Sequence, residues 1–89
     1  MTTITLGKDV TVNTAAQVLQ TARAALSKSD VAPQIDLAET NRFDSALLSV
    51  LMALERDAKA RGLAIQFSNA EPAIKALTRV YGLESVLVV

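Results

Sequence analysis

Three stretches with helical periodicity alternate with short runs of period-two hydrophobicity along this 89-residue chain, and this alternation constrains the fold more than any other feature. Thr3-Ile4-Thr5-Leu6 alternates and reads as a strand, Gly7-Lys8-Asp9 reads as a turn, and Val10-Thr11-Val12 is a second brief alternating run. Thr14-Ala15-Ala16-Gln17 matches a capping box, and Ala15, Val18, Leu19, Ala22 and Leu26 follow on one helical face. That helix fades at Ser27-Lys28-Ser29-Asp30, and Pro33 marks a break. Residues 34–38 form the next strand, with Ile35 and Leu37 on one side and Asp36 on the other.

After a polar loop, Asp44 or Ser45 caps a second helix whose stripe is Leu47, Val50, Leu51, Leu54 and Ala58. Glu55 and Lys59 are spaced for an i,i+4 pair. Lys59 and Arg61 suit the negative end of the helix, and Gly62 suits the left-handed residue that closes it. Leu63, Ile65 and Phe67 then alternate as a strand. Ser68-Asn69-Ala70-Glu71 matches a second capping box, and Pro72 fits a first helical turn. A third stripe, Ile74, Leu77, Val80 and Tyr81, stops at Gly82. Residues 83–89 are apolar and β-branched, readable as a terminal strand or a packing tail. Strands joined by helical crossovers imply an α/β fold with a small, largely parallel sheet and right-handed connections. The length fits one domain spanning residues 1–89.

Composition narrows the chemistry. Nine basic and nine acidic residues cancel, which argues against binding nucleic acid through a basic field. With neither Cys nor His, thiolate sites, the common zinc sites and most acid–base relays are excluded. No cofactor or metal is expected. The glycines are Gly7, Gly62 and Gly82, so no phosphate-cradling glycine loop exists, and Ser45 has no His to activate it. The start of the chain lacks the apolar core of a signal peptide, and no apolar window of about 18 residues spans a membrane. The expectation is a non-enzymatic, cytoplasmic chain without membrane insertion.

The stretch 35–62 holds the functional question. A strand, a polar loop and a helix start at Asp44-Ser45 place small polar groups at an exposed helix N-terminus. Such a junction can hold a phosphate, dock a partner, or only cap the helix. Asn41 and Arg42 precede it. Leu48 and Met52 lie off the centre of the helix stripe, where they extend the core or form an apolar docking patch.

Ile35-Asp36-Leu37-Ala38 followed by Asp44-Ser45-Ala46-Leu47-Leu48 resembles the strand and D-S-S-G-L junction of the STAS domain family, which includes the anti-sigma factor antagonists. Residues 6–16, Gly62-Leu63-Ala64-Ile65 and Tyr81-Gly82-Leu83 resemble other parts of its pattern, so the resemblance covers nearly the whole chain. It implies the STAS fold. In phosphorylated members the second serine accepts phosphate; here that position is Ala46, without a hydroxyl, and the glycine is Leu47. Switching by phosphorylation there is chemically excluded, and Ser45, at the first serine position, is the remaining candidate for modification.

The variant pattern resembles the Mla branch of the family. That resemblance implies a cytoplasmic accessory subunit, held at the inner membrane through its complex. It would bind and regulate the ATPase of an ABC transporter, with its permease, in phospholipid trafficking and outer-membrane lipid asymmetry. Asp44 and Ser45, with Asn41, Arg42 and Leu48 as neighbours, would form the partner-binding site. The alternative is an anti-sigma factor antagonist-like regulator that binds a protein without phosphorylation at Ala46. Many relatives begin with a longer hairpin, so an open sheet edge is expected near the start, able to pair with a second copy as a homodimer.

Overall fold

The computed structural model describes residues 3–89; Met1 and Thr2, where the signal-peptide reading begins, lie outside it. Its main sheet has three strands, β1 (Thr3–Thr5), β3 (Gln34–Asp36) and β5 (Gln66–Ser68), in the order β1-β3-β5. Both pairings are parallel, which puts Ile4, Ile35 and Phe67 in one row. The flanking rows are Thr3-Gln34-Gln66 and Thr5-Asp36-Ser68. Successive side chains point to opposite faces of a strand, so one sheet face is apolar and the other polar.

The helices α1 (Ala15–Ser27) and α2 (Ala46–Ala60) are the crossovers between these strands, and they pack against each other. Two right-handed crossovers stepping in the same direction place both helices on one face of the sheet. That face is the row of Ile4 and Ile35, and these join Ala22, Leu26, Leu47, Leu51 and Leu54 in one continuous core. Helix α2 forms its centre, with Leu47, Val50, Leu51, Leu54 and Ala58 buried as the helical spacing requires. Helix α3 (Pro72–Val80) adds Ile74 to the same core.

A second, two-stranded parallel ladder joins β2 (Asp9–Val10) to β4 (Arg42–Phe43). This corrects the reading of Asp9 as part of a turn and of Arg42 and Phe43 as part of a polar loop. The loop is tied down by its backbone: the Asn41 and Arg42 N–H groups donate to Lys8 O at 3.1 and 3.0 Å. Thr40 is buried, and its hydroxyl donates to Gly7 O at 2.9 Å.

Both capping boxes fail, each for its own reason. Thr14 enters α1 already in helical conformation from a turn over residues 11–14, and its side chain caps nothing. Its hydroxyl faces backward instead, accepting from Thr11 N–H and donating to Asp9 O. At α3 the N-cap is Glu71, without a side-chain bond, because Asn69 takes the left-handed conformation (φ 60°) and displaces the helix start. Pro72 sits at the start of α3, where its missing N–H costs nothing.

The helix ends follow the glycines. At α2, Gly62 (φ 73°) lets its N–H reach Lys59 O while Leu63 N–H reaches Ala58 O. The same pair of bonds recurs at α3, where Gly82 donates to Arg79 O and Leu83 to Thr78 O. Because Leu63 completes this cap, β5 is shorter than the alternation of residues 63–67 suggests. The buried stripe of α3 runs through Ile74 and Thr78, while Val80 and Tyr81 are exposed at 79% and 54%, contrary to the predicted stripe. Residues 83–89 form a packing tail rather than a strand. Leu87 N–H donates to Leu83 O at 2.7 Å, and the Leu87 side chain is buried.

The charged face of α2 is not simply solvated. Arg23 on α1 meets Asp57 at 2.6 Å, while Glu55 and Lys59 form no ion pair among the described residues. Arg61 serves the end of α1 rather than its own helix: its guanidinium donates to Leu26 O at 2.6 Å and Ser29 O at 2.8 Å. These carbonyls lie at the negative end of α1, where a cation is favoured. Arg61→Ala is expected to cost about 1–2 kcal/mol, from two charge-assisted bonds at a partly exposed site. Arg61→Lys should recover less than half of that, since one ammonium cannot replace a planar fork. Urea denaturation of both variants measures this.

Candidate functional site

The site is built at the corner where α2 begins. Its pivot is Asp44. One carboxylate oxygen, Oδ1, accepts from Ala46 N–H at 2.8 Å, satisfying a donor in the first turn of α2. The other, Oδ2, accepts from Val12 N–H at 3.0 Å, 32 residues away in sequence. Asp44 N–H also donates to Val10 O at 3.4 Å. Asp44 therefore caps α2 and clamps the turn before α1 against it.

Ser45 takes a different part. It occupies the N-cap position with helical dihedrals (φ −61°, ψ −16°), and its side chain makes no cap bond. The residue is exposed. The two small polar residues thus divide the work: Asp44 holds the corner together, and Ser45 displays a free hydroxyl on it.

Of the other residues expected at the site, Asn41 and Arg42 precede this corner in the chain and Leu48 follows it in α2. Asn41 and Arg42 are exposed on β4 and its approach, beside Asp44 and Ser45 in the chain. The Arg42 guanidinium stands 3.6 Å from the Asp9 carboxylate across the small ladder, an exposed pair that leaves most of its charge to solvent. Leu48 differs, being 4% exposed and part of the core. It contributes a floor, not a projecting contact.

That floor belongs to a groove that sequence reasoning reached only in part. Ser45, Leu48, Ser49, Met52, Arg56, Tyr81 and Leu83 line a depression of ≈ 570 Å³ between α2 and the chain after α3. A second depression of ≈ 360 Å³ adjoins it, lined by Met52, Glu55, Arg56, Lys59, Ser85 and Val86. Met52 and Arg56 are common to both, so one furrow follows α2 from Ser45 to Lys59. The off-centre spacing of Leu48 and Met52 was the sequence signal for it. Its far wall, Tyr81, Leu83 and Val86, had no such signal, because residues 83–89 lack a clear period.

Among the described residues no three His, Cys, Asp or Glu side chains cluster as metal ligands. Asp36, an acidic residue upstream of the junction, has a local structural role at the end of β3. Its Oδ1 accepts from the Asn69 side-chain amide at 3.0 Å and from Ala38 N–H at 2.9 Å. The Asn69 bond first, and the Ala38 N–H second, hold its carboxyl below the ordinary value of 3.8. A carboxyl lowered on folding adds stability that is complete above its unfolded pKa and is lost as pH falls through the folded one. Wild-type protein should therefore lose thermal stability below about pH 4, and Asp36→Asn should flatten that acid limb. Melting curves between about pH 6 and pH 2.5 compare the two.

No helix among the described residues is long and apolar enough to cross a membrane. A family model described as Mlab, STAS domain matches residues 1–89. A comparison with curated proteins returns no significant match. STAS domains are generally non-catalytic. The parallel α/β architecture agrees with that family. The chain belongs to the Mlab-type STAS domain family, and its role is regulatory or accessory, exercised through contact with another protein.

Proposed function

We propose that this chain is the non-catalytic accessory subunit of an Mla-type ABC transporter of phospholipids. It binds the ATPase subunit of that complex through the start of α2. The observation that carries the reading is the division of labour at the corner. Asp44 fixes the geometry with both carboxylate oxygens, and Ser45 stands exposed with a side chain that makes no cap bond to the helix. The next residue, Ala46, has no hydroxyl, so the surface does not switch by phosphorylation at that position. Permanent docking suits such a surface better than kinase-driven release. The chain would lie on the cytoplasmic side of the membrane, held there by its partner.

Regulation follows from thermodynamics. An accessory domain shifts an ATPase toward whichever conformation it binds more tightly, and by no more than the difference in affinity. A rigid corner serves this purpose, since it discriminates between two arrangements of the partner surface without deforming to fit both.

Affinity purification of the tagged chain from its native cells tests the assignment. The expected result is co-purification of an ABC ATPase with its permease, and an ATP hydrolysis rate that changes when this subunit is removed. Recovery of a kinase-like anti-sigma factor in place of the transporter would overturn it.

A further inference from the structure

We propose that the furrow along α2 receives a protein segment that combines large aliphatic side chains with a carboxylate. This rests on the reading of the chain as a protein-binding subunit, and it specifies the chemistry of what is bound. The inner part of the furrow has an apolar floor of Leu48 and Met52, with Tyr81 and Leu83 beside them. Arg56 is the one charged residue lining that part. Neither Arg56 nor Lys59 has a carboxylate partner among the described residues. Further along, Lys59 adds a second cation and Glu55 one anion, so the lining as a whole is positive.

Two requirements select the occupant. An apolar floor beside a half-exposed tyrosine gains from covering by aliphatic side chains, which a phosphate or a sugar does not supply. The same cover takes Arg56 out of water, and a buried guanidinium without a counter-charge is costly. A segment with both features meets both demands, and the hydroxyls of Ser45 and Ser49 remain to bond its backbone. From Ser45 to Lys59 the helix rises about 21 Å, a distance that an extended segment covers with roughly six or seven residues. The furrow starts at Ser45, so a partner docked at the corner reaches it without a second interface.

The test pans a displayed library of random 12-residue peptides against the full chain. Selected peptides are then measured against wild type, Arg56→Glu and Tyr81→Ala by fluorescence anisotropy. Arg56 and Tyr81 are exposed, so both variants should keep the wild-type circular dichroism and melting curve. The expected result is enrichment of peptides carrying a carboxylate within a few residues of Leu, Ile, Met or Phe. Their affinity should fall roughly tenfold or more in Arg56→Glu, fall also in Tyr81→Ala, and weaken with added salt. No enrichment, enrichment without carboxylates, or equal binding to Arg56→Glu would each overturn the inference. The ATPase assignment would survive that failure, because the corner alone can dock a partner. Peptides that bind as expected while no ATPase co-purifies would keep the furrow and remove the named partner.

Discussion

Leu51→Ala is expected to cost the domain about 2–5 kcal/mol, the range for emptying a fully buried leucine site. Leu51 is completely inaccessible, in the middle of α2 and of the core that α1, the sheet and α3 share. The lost methyl groups forfeit their transfer energy, and the cavity left behind adds to it because several rigid elements surround it. A domain of this length has a total stability of roughly 4–13 kcal/mol, so one substitution removes a large fraction of it. The melting temperature should drop by ~8–40 °C, given about 4–8 °C per kcal/mol at this size. Urea denaturation should show a lower midpoint with an unchanged slope. Met52→Ala, one residue on and half-buried, should cost about 1 kcal/mol, and the contrast reports burial rather than helix propensity.

The second large effect concerns binding and should leave the fold intact. If the proposed ATPase partner docks at this corner, Ser45→Arg is expected to weaken that binding by about 2 kcal/mol or more, roughly thirtyfold, as for a residue at the centre of an interface. Stability should change little. Ser45 is exposed, its side chain caps nothing, and its dihedrals suit any residue. The added cation sits at the positive end of α2, a penalty of about 0.3–1 kcal/mol. Calorimetric titration of purified ATPase, paired with melting curves, separates the two effects. Wild-type affinity in a folded Ser45→Arg protein would remove Ser45 from the interface. Asp44→Ala should behave differently, losing stability and binding together, because its carboxylate holds Val12 and Ala46 at once.

Helix α2 was the most legible part of the sequence. Its stripe, its start and its glycine end all agree, and each arises from local rules of spacing and capping. The parallel sheet followed from the alternation of elements alone. The small β2–β4 ladder was not legible, since two-residue strands carry no periodicity and exist only because the Asp44 loop folds back on residues 8–10. Thr14 and Ser68 looked like caps because turn-forming and cap-forming residues are the same types. What decides between the roles is the direction from which the chain arrives. At the site, Asp44 and Ser45 were found together, but the sequence left open which of them caps, since both residue types are favoured there. Val12, the distant partner of Asp44, had no local signal, because a contact across 32 residues leaves no mark on either stretch.

The one-directional order of the sheet also governs how the chain must come together. Thr3 pairs with Gln34, and Gln34 with Gln66, so no ladder of the main sheet joins neighbours through a hairpin. Each pairing closes a loop of about thirty residues, an entropic cost met before any strand contact is gained. Formation of α1 and α2 shortens those loops, so the helix pair bearing Arg23 and Asp57 would assemble ahead of the strands. During synthesis the sheet stays incomplete until Ser68 has left the ribosome. A nascent chain ending before that residue would expose the hydrogen-bonding edge of β3 with no third strand beside it.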